Sequence, residues 1–150
     1  MKKRNLSAAK RIHKFYLDKL KNPKIKKIYL EFERNLGSFN LAKFSIAVSG
    51  GIDSMALAFL AKCHSIKRKQ NHLYFTVDHK LRSTSTKEAI QTKKQLKKYG
   101  INCDILTWTN NKTSSNFQAK AREKRYDLIF QKSLNKNVNL VLTAHQKNDL

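Results

Sequence analysis

From residue 41 onward, short apolar runs alternate with longer stretches of helical period. Phe44–Val48 is apolar and β-prone, and the run rich in Ala, Leu and Met that follows predicts a helix over Ser54–Lys69. Leu73–Val77 predicts a second strand, and Thr86–Tyr99 a helix stopped by Gly100. Cys103–Trp108 predicts a third strand, followed by a polar loop over Thr109–Ser115, a helix over Asn116–Leu134 and a fourth strand over Leu140–Thr143. Strands separated by helical runs are the sequence form of βαβ units, with a parallel sheet and right-handed crossovers. Leu140-Val141-Leu142 is uninterrupted apolar sequence, the pattern of a strand buried on both faces. The fold class predicted is α/β, a three-layer Rossmann-like parallel sheet.

Residues 1–40 read differently, as a basic helical extension preceding a domain over 41–150. Ile12, Phe15, Tyr16, Leu17 and Leu20 recur at helical spacing, so Ser7–Leu20 predicts an amphipathic helix that Asn22-Pro23 ends. Ile25–Leu36 predicts a second helix, with Ile28, Leu30, Phe32 and Leu36 apolar and Gly37-Ser38 as its breaker. The extension is open to three readings: a solvated face, an RNA-contacting one, or an organelle-targeting segment, since no acidic residue precedes Asp18.

Charge sharpens the picture. The chain has 32 Lys and Arg against 10 Asp and Glu, a formal net charge of +22, spread along its 150 residues. Such an excess predicts a polyanionic partner, most simply nucleic acid, because neutralising phosphates releases counterions. The use of 25 Lys but 7 Arg, with 13 Asn, matches AT-rich coding, which does not account for the shortage of acids. Cys63 and Cys103 are the only cysteines and form no C-x-x-C pair, as expected of buried thiols in a reducing, cytoplasmic compartment. No apolar run approaches the roughly 20 residues of a membrane span, so no membrane partner is expected.

In parallel α/β sheets, ligands bind outside the carboxyl ends of the strands. Here those ends are Ser49–Ser54, Asp78–Arg82, Thr107–Ser115 and Ala144–Asp149. The first, Ser49-Gly50-Gly51-Ile52-Asp53-Ser54, sits between strand and helix, where unpaired N–H groups and the positive end of the helix dipole attract phosphate. Asp53 in such a loop reads either as a Mg²⁺ ligand bridging to phosphate or as a helix N-cap, a role open to Ser54 as well. Neither G-x-x-x-x-G-K-[ST] nor G-x-G-x-x-G occurs, which excludes P-loop kinases and Rossmann dehydrogenases. The second strand end groups Asp78, His79 and Arg82. Gln118, Arg122 and Arg125 share one helix face, either solvated or, with Ala119 and Ala121 beside Arg122, turned toward phosphate. His145 and Asp149 follow the fourth strand, and His13, His64 and His72 have no metal-ligand spacing.

Together these motifs resemble the PP-loop ATP pyrophosphatases and, within them, the tRNA(Ile)-lysidine synthetase family. Ser49 to Ser54 matches S-G-G-x-D-S, and Val77-Asp78-His79-Lys80-Leu81-Arg82 with Ser85 and Glu88-Ala89 is similar to V-D-H-x-L-R…S…E-A. Gln118 to Tyr126 looks like the A-R-x-x-R-Y segment, and Leu142-Thr143-Ala144-His145 like the lead into H-x-x-D-D-Q-x-E-T. The resemblance covers about residues 41–150 and implies the PP-loop (adenine nucleotide alpha hydrolase-like) sheet, incomplete at its C-terminus because the chain stops at Leu150 before the Glu-Thr. It implies ATP and Mg²⁺, with Ser49, Gly50, Gly51, Ile52, Asp53 and Ser54 binding the nucleotide. Asp53, Arg122 and Asp149 become the catalytic residues: metal carboxylate, phosphate stabiliser, and second acid near the base or the lysine amine. The implied reaction joins free lysine to C2 of the wobble cytidine of an isoleucine tRNA (CAU anticodon) through an adenylated intermediate, releasing pyrophosphate and AMP. Asn148 and Leu150 depart from the family's Asp-Asp-Gln. The alternatives are another PP-loop enzyme, such as a tRNA thiolase, and a non-catalytic remnant that binds ATP or RNA.

Overall fold

The computed structural model describes residues 2–109 and 117–145. Its elements are α1 (Lys2–Lys19), α2 (Pro23–Leu36), a 3₁₀ turn (Gly37–Phe39), β1 (Ser45–Ala47), α3 (Ile52–Arg68), β2 (Leu73–Asp78), α4 (Ser85–Lys98), β3 (Cys103–Thr107), α5 (Phe117–Asn135) and β4 (Val141–Leu142). The alternation expected from the sequence is present, with boundaries shifted by one to three residues in most elements. The exception is α1, which begins well before Ser7. Most of the Thr109–Ser115 loop and all of Gln146–Leu150 lie outside the described residues. The described residues form two compact units. One draws on the residues up to Lys43 together with Phe59–His72, the other on Phe44–Ala58 and the residues from Leu73 onward. No helix of the described residues is long and apolar enough to cross a membrane.

In the second unit the strands are all parallel, in the order β3-β2-β1-β4. Ser45 pairs with Leu73 on one side and Val141 on the other, and Tyr74 to Asp78 pair in step with Cys103 to Thr107. Phe44, Ile46, Val48 and Phe75 are buried at its centre. The Ser133 hydroxyl of α5 lies 2.7 Å from both the Ser45 hydroxyl and the Ile129 carbonyl, tying the helix to β1. One expectation fails. Val141 and Leu142 are only half-buried, because β4 is the outer strand among the described residues and pairs with β1 alone. Cys103 is buried in β3, and the apolar surroundings, with Asp104 nearby, push its thiol up to about 12.

The first unit is helical. Asn22 caps α2: its Oδ1 accepts from the N–H groups of Lys24 at 3.0 Å and Ile25 at 3.3 Å, with Pro23 in the first turn where no donor is needed. The core is Tyr16, Tyr29 and Cys63, with Ile12, Leu20, Phe32, Phe59, Leu60 and Ile66 packed around it. The i, i+4 stripe Ile12-Tyr16, continued by Leu20 just past the end of α1, turns inward, whereas Phe15 and Leu17 are exposed. In α2 the inward residues include Tyr29, Phe32 and Leu36, so Ile28 and Leu30, apolar in the sequence pattern, face out. Burial pushes the Cys63 thiol up to about 12.

Two histidines with no functional spacing form a buried pair in this unit. His64 Nε2 lies 2.8 Å from the Asn40 carbonyl and 2.9 Å from Asn40 Oδ1, both acceptors, so Nε2 carries the proton. His64 Nδ1 is then the acceptor for His72 Nε2 at 2.9 Å, and both rings are neutral. Burial, then His64, Lys43 and Lys62, drives the His72 pKa down to about 3, and burial likewise lowers that of His64, with Arg68 adding to the effect and Asn40 and Glu33 opposing it. An unfolded imidazole titrates near 6.5, so stability is full above that value and declines as pH falls below it, where only the unfolded chain gains the proton. Chemical denaturation at pH 7.5 and 5.0 should show a loss of about 2 kcal/mol from His72. His72→Gln, which keeps a donor for His64, should flatten the difference; an unchanged pH dependence would refute the assignment.

Candidate functional site

The strand order reverses between β1 and β4, so the chain leaves a crevice at the carboxyl ends of those two strands. β1 delivers Val48, whose N–H still donates to the Phe75 carbonyl at 2.8 Å, and the chain then turns through Ser49, Gly50 and Gly51 into α3. The turn closes on itself through two hydroxyls. Ser54 Oγ accepts from the Ser49 N–H at 3.1 Å and donates to the Gly51 carbonyl at 3.0 Å. Ser49 Oγ accepts from the Gly51 N–H at 3.3 Å and lies 3.1 Å from Ser54 Oγ.

Gly50 is required twice over. Its φ is +89°, and a Cβ there would stand 2.5 Å from Thr92 Oγ1 of α4. Because α3 starts at Ile52, neither Asp53 nor Ser54 occupies the N-cap position; Asp53 stands within the first turn, with an exposed side chain.

The residues grouped after β2 are separated by the structure. Asp78 is buried and accepts from the Lys80 N–H at 3.1 Å and the Thr86 hydroxyl at 2.7 Å, and it pairs with Lys80 Nζ at 3.1 Å. Burial alone would raise its pKa, but these bonds outweigh it and hold the carboxyl below its usual range. Lys80 itself adopts a left-handed φ of 52°, which turns the chain after the strand. Arg82 pairs with Glu88 at 3.0 Å on the surface. His79 alone of this group enters the crevice, where burial and then the positive charges of Arg125 and Arg82 lower its pKa, so it is neutral at pH 7.

The crevice is lined by Ser49 and Ser54 of the loop, His79, Arg125 and Tyr126 of α5, and Thr143 to His145 after β4. The Arg125 guanidinium lies 5.1 Å over the Tyr126 ring, and the Tyr126 hydroxyl bonds His145 Nε2 with the rings edge to face. Arg122 is exposed on the same helix and is not among the lining residues. Sequence reasoning singled out His145, and named Arg125 only as a companion of Arg122 and Tyr126 only inside a motif. The i, i+4, i+7 face was the available signal; its phase against the sheet was not. Asp149 lies outside the described residues, as do Asn148 and Leu150.

Gly50→Ala should destabilise the protein through both the left-handed backbone, about 1–2 kcal/mol, and the contact with Thr92. Adding Thr92→Ala should recover only the contact part. Denaturation midpoints of Gly50→Ala, Thr92→Ala and the double variant measure this as a cycle; a double-variant loss equal to the sum of the two single losses would mean the contact carries no cost.

The PP-loop domain family matches residues 20–150. The tRNA(Ile)-lysidine synthase of Rickettsia typhi is 38% identical over 131 residues, covering 81% of this chain and 29% of that protein. That of Rickettsia rickettsii (strain Sheila Smith) is 37% identical over 131 residues, covering 81% and 26%. The chain therefore spans less than a third of the length of these relatives. Among solved structures, the U34-tRNA thiolase NcsA from Methanococcus maripaludis with its [4Fe-4S] cluster superposes with a TM-score of 0.72 at 20% identity, covering 83% of this chain and 46% of that one, a likeness of fold. With the S-G-G-x-D-S loop at the crevice of a parallel sheet and a match over residues 20–150, the chain belongs to the PP-loop domain family.

Proposed function

We propose that this chain carries the ATP-activating chemistry of a tRNA(Ile)-lysidine synthase, joining free lysine to C2 of the wobble cytidine of an isoleucine tRNA. The observation that carries the reading is the self-closed Ser49–Ser54 loop opening on a crevice with Arg125, His79 and His145, in a chain 38% identical to the Rickettsia typhi protein over 131 residues. The first turn of α3 takes the phosphates of ATP, and the glycines of the preceding turn allow their close approach. Among the described residues no group of three or more His, Cys, Asp or Glu is placed to hold a metal. One carboxylate, Asp53, fits Mg²⁺ that is held chiefly by phosphate oxygens and water. When bound, that ion would offset charge on the triphosphate.

In the proposed reaction the cytidine O2 attacks the α-phosphorus, the bond to the bridging oxygen breaks and pyrophosphate leaves. Arg125, which lines the crevice, supplies positive charge for the phosphoryl oxygens, and Arg122, exposed one turn away on α5, is the proposed second cation for a substrate that extends out of the crevice. The lysine amine then adds at C2, the C2–O bond breaks and AMP leaves. Neutral His79 faces the crevice and can take the proton the amine sheds. Asp149 is the proposed second acid near the base or the amine. The target base must be unstacked, which an anticodon loop permits.

The test is incubation of the chain with labelled lysine, ATP and isoleucine tRNA transcript. Label in the tRNA is expected; intact ATP binding without incorporation overturns the reading. Asp53→Ala should lower incorporation by about a hundredfold or more with the melting temperature unchanged, and undiminished activity would remove Asp53 from the metal site.

A further inference from the structure

The crevice uses little of the chain's positive charge. Up to Lys43 the sequence has 13 Lys and Arg and three acids. Each acid already faces a cation: Asp18 with Lys21 at 2.7 Å, Glu31 with Arg34 at 4.0 Å and Glu33 with Arg68 at 3.0 Å. Two grooves run along this helical unit and share Lys26 and Leu30. The first is lined by Leu17, Leu20, Tyr29 and Leu30 together with Lys21, Lys26 and Lys67. The second adds Lys27 and Arg34, and Glu31 is the one carboxylate lining either. Leu17 and Leu30 are 46% and 48% exposed, so the apolar lining is open to an occupant.

We infer that this double groove docks the sugar-phosphate backbone of RNA, independently of the nucleotide crevice. Lysines along an apolar lining match a ribose-phosphate strand, with ammonium groups meeting phosphates and aliphatic side chains meeting sugars. The lysine ammoniums are point charges, and Arg34, the one guanidinium of the lining, is already paired with the single carboxylate Glu31, so the docking is to phosphate and carries no base readout. Ammonium groups spaced along the apolar lining, whose one carboxylate is already paired, favour a polyanionic strand over a bilayer, which takes up a broad apolar face. The inference rests on the proposed function only in naming that RNA as a tRNA.

The test is fluorescence anisotropy of the full chain with labelled isoleucine tRNA transcript, without ATP or lysine. Lys21→Gln/Lys26→Gln/Lys67→Gln should raise Kd at least tenfold and reduce the slope of log K against log salt by about 2–3. Lys93→Gln/Lys94→Gln/Lys97→Gln, an equal charge loss on exposed positions of α4, should change Kd less than threefold. Because Lys67 lies 5.1 Å over the Tyr29 ring, Lys26→Gln/Lys27→Gln serves as a second variant that leaves that contact intact and should weaken binding at least fivefold. Equal effects of the two triple variants, no effect of the groove variants, or lysine-dependent binding to phosphatidylglycerol vesicles without binding to RNA would each overturn the inference. Groove-dependent RNA binding with no lysine incorporation would overturn the proposed reaction and leave the docking surface standing.

Discussion

Between β1 and α3 the chain reverses within three residues, and the close approach of Gly50 to Thr92 decides the path it takes. A side chain at position 50 would meet the Thr92 hydroxyl, which is itself engaged with the Glu88 carbonyl at 3.0 Å and held within α4. The loop thus has a fixed wall behind it, and the Ser49 and Ser54 hydroxyls knit its open side. Donors at a helix start attract anions wherever they occur; a loop that cannot relax keeps them aimed at one place. Every other feature of the crevice is arranged around that fixed point.

The charged groups nearby divide into those that build and those that face the crevice. Asp78 is absorbed in holding the turn after β2, with Thr86 and Lys80 satisfying a carboxylate that burial would otherwise penalise. Arg82 and Glu88 neutralise one another at the surface. Arg125 remains, braced over Tyr126, and its charge is one reason His79 stays neutral. The result is a positively charged pocket with an uncharged imidazole in it, suited to a substrate that brings its own negative charge.

The order of elements and the loop were legible because apolar runs, glycines and helical periods are local signals. The inward stripe running from α1 was also present in the spacing of Ile12, Tyr16 and Leu20, although Phe15 and Leu17 diluted it. What depends on neighbours was not legible. Leu140-Val141-Leu142 has the composition of a central strand, yet it lies at the outer edge of the described sheet. The small neighbours Ala119 and Ala121 single out Arg122 in the sequence, yet the rotation of α5 against the sheet puts Arg125 in the crevice. The meeting of Tyr126 with His145, and of His64 with His72, brings together residues whose spacing carries no motif.

The register of β4 on β1 also bears on how the crevice comes into being. Ser45 pairs with Leu73 and Val141 alike, but the second partner lies much farther along the chain. Closing the longer loop costs more entropy, and parallel pairings of distant segments are slow to form. The Ser49–Ser54 loop therefore stands in the part of the sheet with the shorter loop closures, built from β1, β2 and β3. Its opposite wall, at Thr143 to His145, exists only where β4 is docked, so the crevice depends on the longest-range pairing of the described sheet.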